Sequence, residues 1–568
     1  MRAVALLLAE PGVGRLNHER SLDAALAGRC VLGHAEARAA AVPGVSAVVL
    51  VHPAGEVPGG SARRFGFDPA LDPIEARAAR CTARVWSSWA WRGGLGGATV
   101  WDELLPAAPL LAAAEAEGAD AVVLAGADWP LLDPALAGRM LARHAQEPEA
   151  LPLVFSQAPP GLAPLVISRA LLGRLAAEEA GAGGKARGHA ERRGIAGLLA
   201  YQPARARVDP ISGDLNAPVP AAVRDTARRF VFDTPDGQTR LERLARRLGG
   251  GFADADAAAV TAATLVDEAD PGGGRFASLP PLLHVELTPR RFSRGSATPP
   301  GASEVPERGP MGMDLIERLA GQCEGLAVTL GGLGDAACHP RLGEAVAAFR
   351  AGGAAGVAVE TSLQAVAVDG EAADRRGSEA VAAAVRGWGA DAVVVRLNAA
   401  TAAAYAEANG AYDFEEASAA LRRLIPDPGV GRLLPAMVKT AANVADLEAF
   451  FERWWQVADH AVVERFPTGG TGSYALAEDA SPVPMDPPWT PPRATQAKHR
   501  LTVLSDGTLC LCHQDWRGRA ALGDANDAPL AELWAGLPAL EVGPAWGPDD
   551  SPLCRRCFDF LTLARGSA

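Results

Sequence analysis

The 568-residue sequence contains little cysteine, no long apolar run and no excess of positive charge. Eight cysteines are too few for a disulfide scaffold in a chain of this length. No apolar segment reaches the roughly 20 residues of a membrane-spanning helix, so we expect no membrane partner. The formal net charge of -13 argues against nucleic acid as a partner recruited by bulk charge. These features are typical of an acidic protein of the cytoplasm.

The length predicts several domains, since one domain usually takes roughly 100–200 residues. Residues 1–245 alternate strand-like apolar runs with Ala-rich helical patterns, which predicts an α/β domain with a mainly parallel sheet. We interpret the opening run in "MRAVALLLAEPGVGR" as a buried strand and not a signal peptide, because it ends in Glu-Pro without a small-residue cleavage site. A Gly- and Ala-rich passage predicts a linker at 246–280.

Residues 281–480 contain successive strand and helix patterns, which favour a complete or partial β/α barrel whose functional loops follow the strands. The Pro-rich stretch "SPVPMDPPWTPPRAT" predicts an extended linker over 481–496. Residues 497–568 form a small unit that carries clustered cysteines. The predicted fold class is therefore α/β multidomain, with a small cysteine-rich domain at the C-terminal end.

Four of the eight cysteines fall in the last 59 positions. Cys510 and Cys512 lie beside a Ser-Asp-Gly hairpin turn, and Cys554 and Cys557 form a C-x-x-C pair. Two close pairs supply four soft thiolates, which suit either a [4Fe–4S] cluster or zinc. For the scattered cysteines we expect buried, reduced thiols; they are Cys30, Cys81, Cys323 and Cys338.

The segments "SDGTLCLCHQD", "LGDANDAPLAELW" and "PLCRRC" resemble a SPASM domain, a C-terminal extension of radical SAM peptide-modifying enzymes that holds auxiliary iron-sulfur clusters. Gly507 and Cys512 match its Gly-x4-Cys step. The resemblance implies a cluster on the four clustered cysteines. A cysteine that usually precedes the hairpin is absent, leaving His499, with His513 as a further weak candidate, and no cysteine follows Cys557. We therefore expect one cluster or one zinc at most.

The middle block resembles the radical SAM barrel in the order and spacing of its segments, and spiro-SPASM proteins are the subfamily that comes closest. "HVELTP" resembles the first strand. In "VTLGGLGDAACHPRLGEAV" the resemblance places four residues near the methionine end of S-adenosylmethionine: Gly331, Gly332, Gly334 and Asp335. For Asp335 a solvated loop carboxylate is the alternative interpretation.

The family's three-cysteine loop should follow Thr288, but "PRRFSRGSATPPG" contains no cysteine. Arg, Ser, Thr and Phe cannot replace thiolates as cluster ligands, so we expect no reductive cleavage of S-adenosylmethionine here. Cys323 and Cys338 are too few and too far apart to replace the loop. Arg290, Arg291 and Arg294 favour either a site for phosphate or carboxylate or a mobile surface loop.

The N-terminal block carries two signals of nucleotide binding. A Gly-x-Gly-Arg loop follows the first strand, where backbone N–H groups can contact phosphate; its residues are Gly12, Gly14 and Arg15. In "GADAVVLAGADWPLLDP" a buried strand delivers Asp128 to its C-terminal end, where a carboxylate can hold Mg²⁺.

Together these segments resemble the sugar and molybdopterin nucleotidyltransferases, an α/β fold shared with one class of glycosyltransferases. The resemblance implies that Asp128 is the metal-binding, catalytic carboxylate. The family's lysine after proline is absent, and only Arg20 lies nearby. Asp209 and Asp214 are alternatives for a second carboxylate, or turn residues.

Two functions stay open from the sequence. The first is an iron-sulfur or other metal-binding SPASM protein that acts in binding or maturation of a peptide, a protein or another substrate. The second is a Mg²⁺-dependent nucleotidyltransferase or glycosyltransferase acting on a sugar nucleotide.

Overall fold

The structure is a computed structural model. The residues that it describes are 1–9, 20–55, 59–72, 105–156, 158–181, 215–224, 230–233, 235–269, 279–280, 282–299, 302, 305–367, 373–410, 413–425, 429–430, 432–438, 440–455, 462–464, 500–510, 513, 515–519 and 521–535. The chain divides into two compact units, residues 1–277 and 278–565, and the expected α/β class is confirmed in both.

The first unit is built on a six-stranded sheet of order β5-β4-β1-β6-β8-β7. β1, β4, β5 and β6 are parallel to one another, while β8 pairs antiparallel with both β6 and β7. Strand β1 is buried along its whole length, as its continuous apolar run predicts. Its strands are β1 (Ala3–Leu8), β4 (Val45–Pro53), β5 (Arg63–Phe67), β6 (Ala121–Gly126), β7 (Leu153–Val154) and β8 (Leu165–Ser168). The short strands β2 (Ala25–Leu26) and β3 (Arg29–Cys30) pair as a separate two-stranded sheet.

Helices accompany this sheet in the described part of the first unit. They are α1 (Val31–Ala40), α2 (Ala107–Ala116), α3 (Pro134–Gln146), α4 (Arg169–Gly181), α5 (Ala221–Arg224), α6 (Pro235–Leu248) and α7 (Ala257–Ala269). The helix α3 is capped at its N-terminus by Asp133, whose side chain accepts a hydrogen bond from the N–H of Leu136.

The expected linker at 246–280 is wrong over its first half. Gly249–Gly251 form a 3-10 turn, and α7 follows it within the first unit. The buried guanidinium of Arg38 donates to the carbonyls of Phe252 (2.8 Å) and Ala255 (2.9 Å). Glycine runs favour linkers in sequence, but here they make a tight turn between packed helices.

The second unit contains a nine-stranded sheet of order β14-β13-β12-β11-β10-β9-β15-β16-β17. The six strands β9 to β14 follow one another in chain order and are parallel, as expected of β/α units. Their bounds are β9 (Leu282–Val285), β10 (Ala327–Leu330), β11 (Gly356–Thr361), β12 (Ala392–Arg396), β13 (Arg432–Val438) and β14 (Val462–Glu464).

Three C-terminal strands continue this sheet. They are β15 (Arg500–Val503), β16 (Thr508–Cys510) and β17 (Ala521–Asp524). Strand β15 pairs parallel with β9, so that Thr502 lies beside His284, and β16 and β17 add an antiparallel meander. The beginning of the cysteine-rich segment is therefore part of the same sheet as the β/α units.

Helices connect these strands in the described residues. They are α8 (Met313–Ala320), α9 (Leu342–Ala351), α10 (Ser378–Gly387), α11 (Ala402–Asn409), α12 (Phe414–Leu424), α13 (Leu447–Trp455) and α14 (Leu530–Ala535). Among the described residues, none of the helices has the length and apolar character to cross a bilayer.

Candidate functional site

The loop after β9 is held in place by its own arginines. Arg290 donates to the carbonyl of Ala373 (3.0 Å) and its guanidinium lies 5.2 Å from the ring centre of Phe292. Arg291 donates to the carbonyl of Ala302 (2.6 Å). These contacts differ from both sequence interpretations, because the two guanidinium groups bind backbone carbonyls of this unit. The loop is thus fastened where a cluster-binding loop was expected.

The same loop presses against the loop that follows β10. A Cβ placed on Gly334 would overlap the carbonyl oxygen of Thr288, so glycine is required for this approach. The N–H of Asp335 donates to the carbonyl of Arg290 (2.9 Å). The two loops therefore form one packed layer at the C-terminal ends of β9 and β10.

Asp335 is not a solvated carboxylate, contrary to one interpretation of the sequence. Its side chain is 8% exposed and accepts hydrogen bonds from the N–H of Ala337 and from both the N–H and hydroxyl of Ser362. Burial raises the pKa of Asp335, although these hydrogen bonds oppose the shift. The carboxylate joins the β10 and β11 loops. Its assignment to a cofactor stays a prediction.

Gly331 and Gly332 form a cradle for the carboxylate of Glu360 at the end of β11. A Cβ on Gly331 would overlap that carboxylate, and the N–H of Gly332 donates to it at 3.2 Å. Gly332 has a φ of +124°, which only glycine adopts readily. The two glycines that the sequence assigns to S-adenosylmethionine thus contact a side chain of the protein.

Glu360 is the centre of a partly buried charged cluster formed by residues of β9, β11 and β12. Its carboxylate lies 3.2 Å from Arg396 and 3.7 Å from Nε2 of His284. Burial alone would raise the pKa of Glu360, but Arg396 and His284 hold it well below the usual range. Burial lowers the pKa of His284. His513, after β16, meets the ring of His284 edge-on with centroids 6.0 Å apart.

A second buried ion pair lies one step further along β9. Arg308 donates to Oε2 of Glu286 at 3.0 Å and to the carbonyl of Trp516 at 2.8 Å. The two side chains are 5% and 2% exposed. Burial raises the pKa of Glu286, although Arg308 opposes the shift. This pair ties the connection before α8 to the C-terminal segment.

Sequence reasoning missed His284, Glu286, Glu360 and Arg396 as members of one site. The available signal was the same in each case: a charged or imidazole side chain at the end of a strand that is otherwise apolar. The carboxyl ends of parallel strands meet at one edge of the sheet, so such residues come together.

Of the four clustered cysteines, the described residues include only Cys510. Its thiol is buried on β16, directly across from Thr502 of β15. Cys512, Cys554 and Cys557 lie outside the described residues, as does His499. Cys510 sits at the end of a short strand next to a tight turn at Gly507 (φ +99°), as the hairpin pattern predicts.

The remaining cysteines of the described residues are unsuited to metal binding. Cys323 donates to the carbonyl of Ala320, and burial raises the pKa of its thiol to about 11. Burial also raises the pKa of Cys338 strongly. Both are buried thiols, as expected. Cys30 differs, because it is partly exposed and caps α1 by accepting from the N–H of Gly33 at 3.3 Å.

In the first unit, Asp128 lies just beyond β6 and pairs with Arg20. Nε of Arg20 is 3.0 Å from Oδ2 of Asp128, and both side chains are 1% exposed. The arginine therefore takes an oxygen that Mg²⁺ would need. Gly12, Gly14 and Arg15 of the expected phosphate loop lie outside the described residues, as do Asp209 and Asp214.

A second carboxylate of the first unit was missed by sequence reasoning. Asp233 is fully buried, and the N–H of the preceding Phe232 donates to the carbonyl of Asp128 at 2.9 Å. The signal was a carboxylate at the end of the apolar run "FVFD". The backbone contact brings the segment that carries Asp233 alongside Asp128.

Comparison with known proteins identifies the C-terminal segment. Residues 495–558 match the family model of SPASM, described as an iron-sulfur cluster-binding domain, and the match includes all four clustered cysteines. The prediction of a SPASM domain is confirmed. A curated protein of Treponema pallidum (strain Nichols), described as uncharacterized, is 29% identical over 108 residues, which is 19% of this chain. The match spans 28% of that protein's length, well under half of it.

Solved structures with similarity to this chain include two kinds of protein. A cytidylyltransferase from Leptospira borgpetersenii is 14% identical, covers 48% of this chain and 96% of its own, and has a TM-score of 0.32. SuiB of Streptococcus suis, bound to the precursor peptide SuiA, is 12% identical, covers 53% of this chain and 76% of its own, and has a TM-score of 0.36. No activity of this chain follows from similarities of this size.

Proposed function

We propose that this chain is a SPASM-type iron-sulfur protein whose barrel binds a substrate, such as a peptide, without cleaving S-adenosylmethionine. The observation that carries the proposal is the family match over 495–558, with its four cysteines. Four thiolates are the donor set of a [4Fe–4S] cluster, and zinc is the alternative that the same donors accept. When bound, the metal group would supply redox or structural chemistry at this segment.

The loop after β9 does not fit the family's other cluster. It offers no thiol, and Arg290 and Arg291 hold it against backbone carbonyls. The buried thiols of Cys323 and Cys338 have raised pKa values, which disfavour the thiolate that a cluster needs. We therefore assign no radical step to this barrel, and we propose that its charged cluster serves binding.

Metal analysis after anaerobic purification tests the cofactor. We expect about four irons and matching sulfide per chain, with a broad visible absorption. The double variant Cys554→Ser/Cys557→Ser should lose most of this iron, while Cys30→Ser should keep it. Cys30 caps a helix, and serine caps equally well, so the control changes one thiol without changing the fold.

Other outcomes of this experiment have defined meanings. One zinc per chain would support a metal site at these cysteines and would show that its occupant is zinc and not an iron-sulfur cluster. A wild-type protein without metal would refute the iron-sulfur proposal. Formation of 5′-deoxyadenosine from S-adenosylmethionine under reducing conditions would refute the proposal that the barrel performs no radical cleavage.

A second candidate function concerns the first unit, and the position of Asp128 just beyond β6, with the segment of Asp233 bonded to its backbone, favours it. A carboxylate at the C-terminal edge of a parallel sheet is suited to a Mg²⁺-nucleotide, provided that Arg20 gives up its oxygen of Asp128. We propose that the first unit binds a nucleotide here. The corresponding activity would be transfer of a nucleotidyl or glycosyl group to an acceptor such as a sugar.

A thermal-shift series with the four nucleoside triphosphates and Mg²⁺ tests this function. A ligand at one hundred times its Kd should stabilise the wild type by about 2.7 kcal/mol. The shift should disappear in Asp233→Asn and persist in Asp68→Asn. Asp68 is an exposed helix cap, for which asparagine is an equal substitute. No shift with any nucleotide would contradict the candidate.

A further inference from the structure

Three buried side chains on neighbouring strands of the second unit each have an atom without a hydrogen-bond partner. The atoms are Nδ1 of His284, Oε1 of Glu286 and Oγ1 of Thr502. The three residues are 4%, 1% and 2% exposed. Buried polar atoms are nearly always hydrogen-bonded in folded proteins, because leaving them unsatisfied is costly. A group of such atoms in one place therefore indicates a bound group.

The three side chains lie close together. Thr502 is the register partner of His284 in the parallel β9–β15 pair, and the N–H of Glu286 extends that ladder to Val503. His284 and Glu286 are two residues apart, so their side chains leave the strand on the same side. A Cβ built on Gly332 would be 3.4 Å from Cε1 of His284 and 3.8 Å from Cγ of Glu286.

The contacts of this group decide what it can bind. Nε2 of His284 faces the carboxylate of Glu360, so a neutral ring carries its proton on Nε2 and leaves Nδ1 as an acceptor. Arg308 occupies Oε2 of Glu286, which leaves Oε1 as a second acceptor. The hydroxyl of Thr502 can also accept. The missing partner must donate several hydrogen bonds to these acceptors.

We propose that His284, Glu286 and Thr502 bind the primary ammonium group of a small amine, in what we name the ammonium site. An ammonium group has three N–H donors, one for each of the three acceptor atoms, and its charge strengthens the hydrogen bond to a carboxylate oxygen. The inference rests on the proposed function in one respect only, namely that the barrel serves binding.

Charges of both signs surround this group. Arg396 and Arg500 lie near Glu360 and lower its pKa. The Glu286 carboxyl receives Arg308 on Oε2 and a further hydrogen bond from the backbone of Ser505, and burial raises its pKa. An amine in the ammonium site adds a donor at Oε1.

Titration calorimetry on the full-length protein tests the ammonium site. The probes are methylammonium and n-butylammonium, with tetramethylammonium as the probe of equal charge and no N–H group. We expect n-butylammonium to bind at least about tenfold more tightly than tetramethylammonium, as a charge-assisted hydrogen bond requires. Free lysine and S-adenosylmethionine, tested separately, distinguish a small amine from the amine of that cofactor.

Variants complete the test. Glu286→Gln should weaken n-butylammonium binding by about tenfold or more, and Thr502→Val by severalfold. Without ligand, Thr502→Val should unfold at the same or a higher temperature, because it removes an unsatisfied hydroxyl. The control Glu344→Gln, an exposed carboxylate of the same unit, should bind as the wild type does.

Equal affinity for tetramethylammonium and n-butylammonium would overturn the ammonium site, as would unchanged binding in Glu286→Gln. No binding of any amine would also overturn it, and would indicate water at these atoms. Iron and zinc are measured on the same preparations. If the wild type contains metal but binds no amine, only the ammonium site is refuted. If it binds the amine but contains no metal, only the iron-sulfur proposal is refuted.

Discussion

Arg20→Met is expected to destabilise the first unit by about 3–5 kcal/mol, because it removes the arginine from a buried ion pair with Asp128. The two side chains are each 1% exposed and their nearest charged atoms are 3.0 Å apart. Methionine fills a similar volume, so the loss reports the charge and not a cavity. The free energy is measured by native-state hydrogen exchange of the β1 and β6 amides in the full-length chain.

Two further variants show whether the charge is responsible. The double variant Arg20→Met/Asp128→Asn should recover part of the stability, since it removes the uncompensated charge. Arg63→Met removes a pair with Glu117 that is 68% exposed on the arginine side, and should change stability by about 1 kcal/mol or less. If Arg20→Met costs no more than this control, the buried pair does not stabilise the unit.

Gly334→Ala is expected to destabilise the second unit by about 3 kcal/mol, since the new Cβ overlaps the carbonyl of Thr288. The atoms nearest to this Cβ are backbone atoms of Thr288 and Pro289, so no side-chain rotation can relieve the overlap. The loop after β9 must therefore separate from the loop after β10. Exchange of the β9 and β10 amides, measured on the full-length chain, gives the change in free energy.

The matched control is Gly343→Ala in α9. Its new Cβ would meet only the carbonyl of Gly387, at 3.6 Å, which is an ordinary contact. Gly343 lies in the first turn of α9, and alanine in a helix is favoured over glycine by up to about 1 kcal/mol, so this variant should be as stable as the wild type or more stable. A Gly334→Ala protein that matches this control would show that the two loops are not in contact.

Local pattern was sufficient to predict much of the fold. The apolar runs "AVALLL" and "AVVVR" are buried parallel strands, and the position of Asp128 beyond β6 follows from the length of its strand. The SPASM domain was recognised from cysteine spacing and its flanking segments. Each of these signals is contained in one short segment of the chain, so it can be recognised without knowledge of the tertiary structure.

Long-range pairing could not be read in this way. Arg20 was noticed only as a substitute for a missing lysine, and its contact with Asp128 joins residues 108 positions apart. The Glu360 cluster combines side chains from separate strands, whose register no single segment encodes. The Gly-rich passage before α7 was predicted as a linker, because composition cannot tell a packed turn from an open one.

The pairing of β15 with β9 has a consequence for the order in which the protein folds. Strand β9 comes first among the β/α units, yet one of its two edges is covered only when residues 500–503 arrive, more than 200 positions later. Until then a growing chain on the ribosome exposes that edge to other strands. Contacts so distant in sequence also slow folding. Synthesis of residues 500–503 is therefore the step that covers this edge of β9.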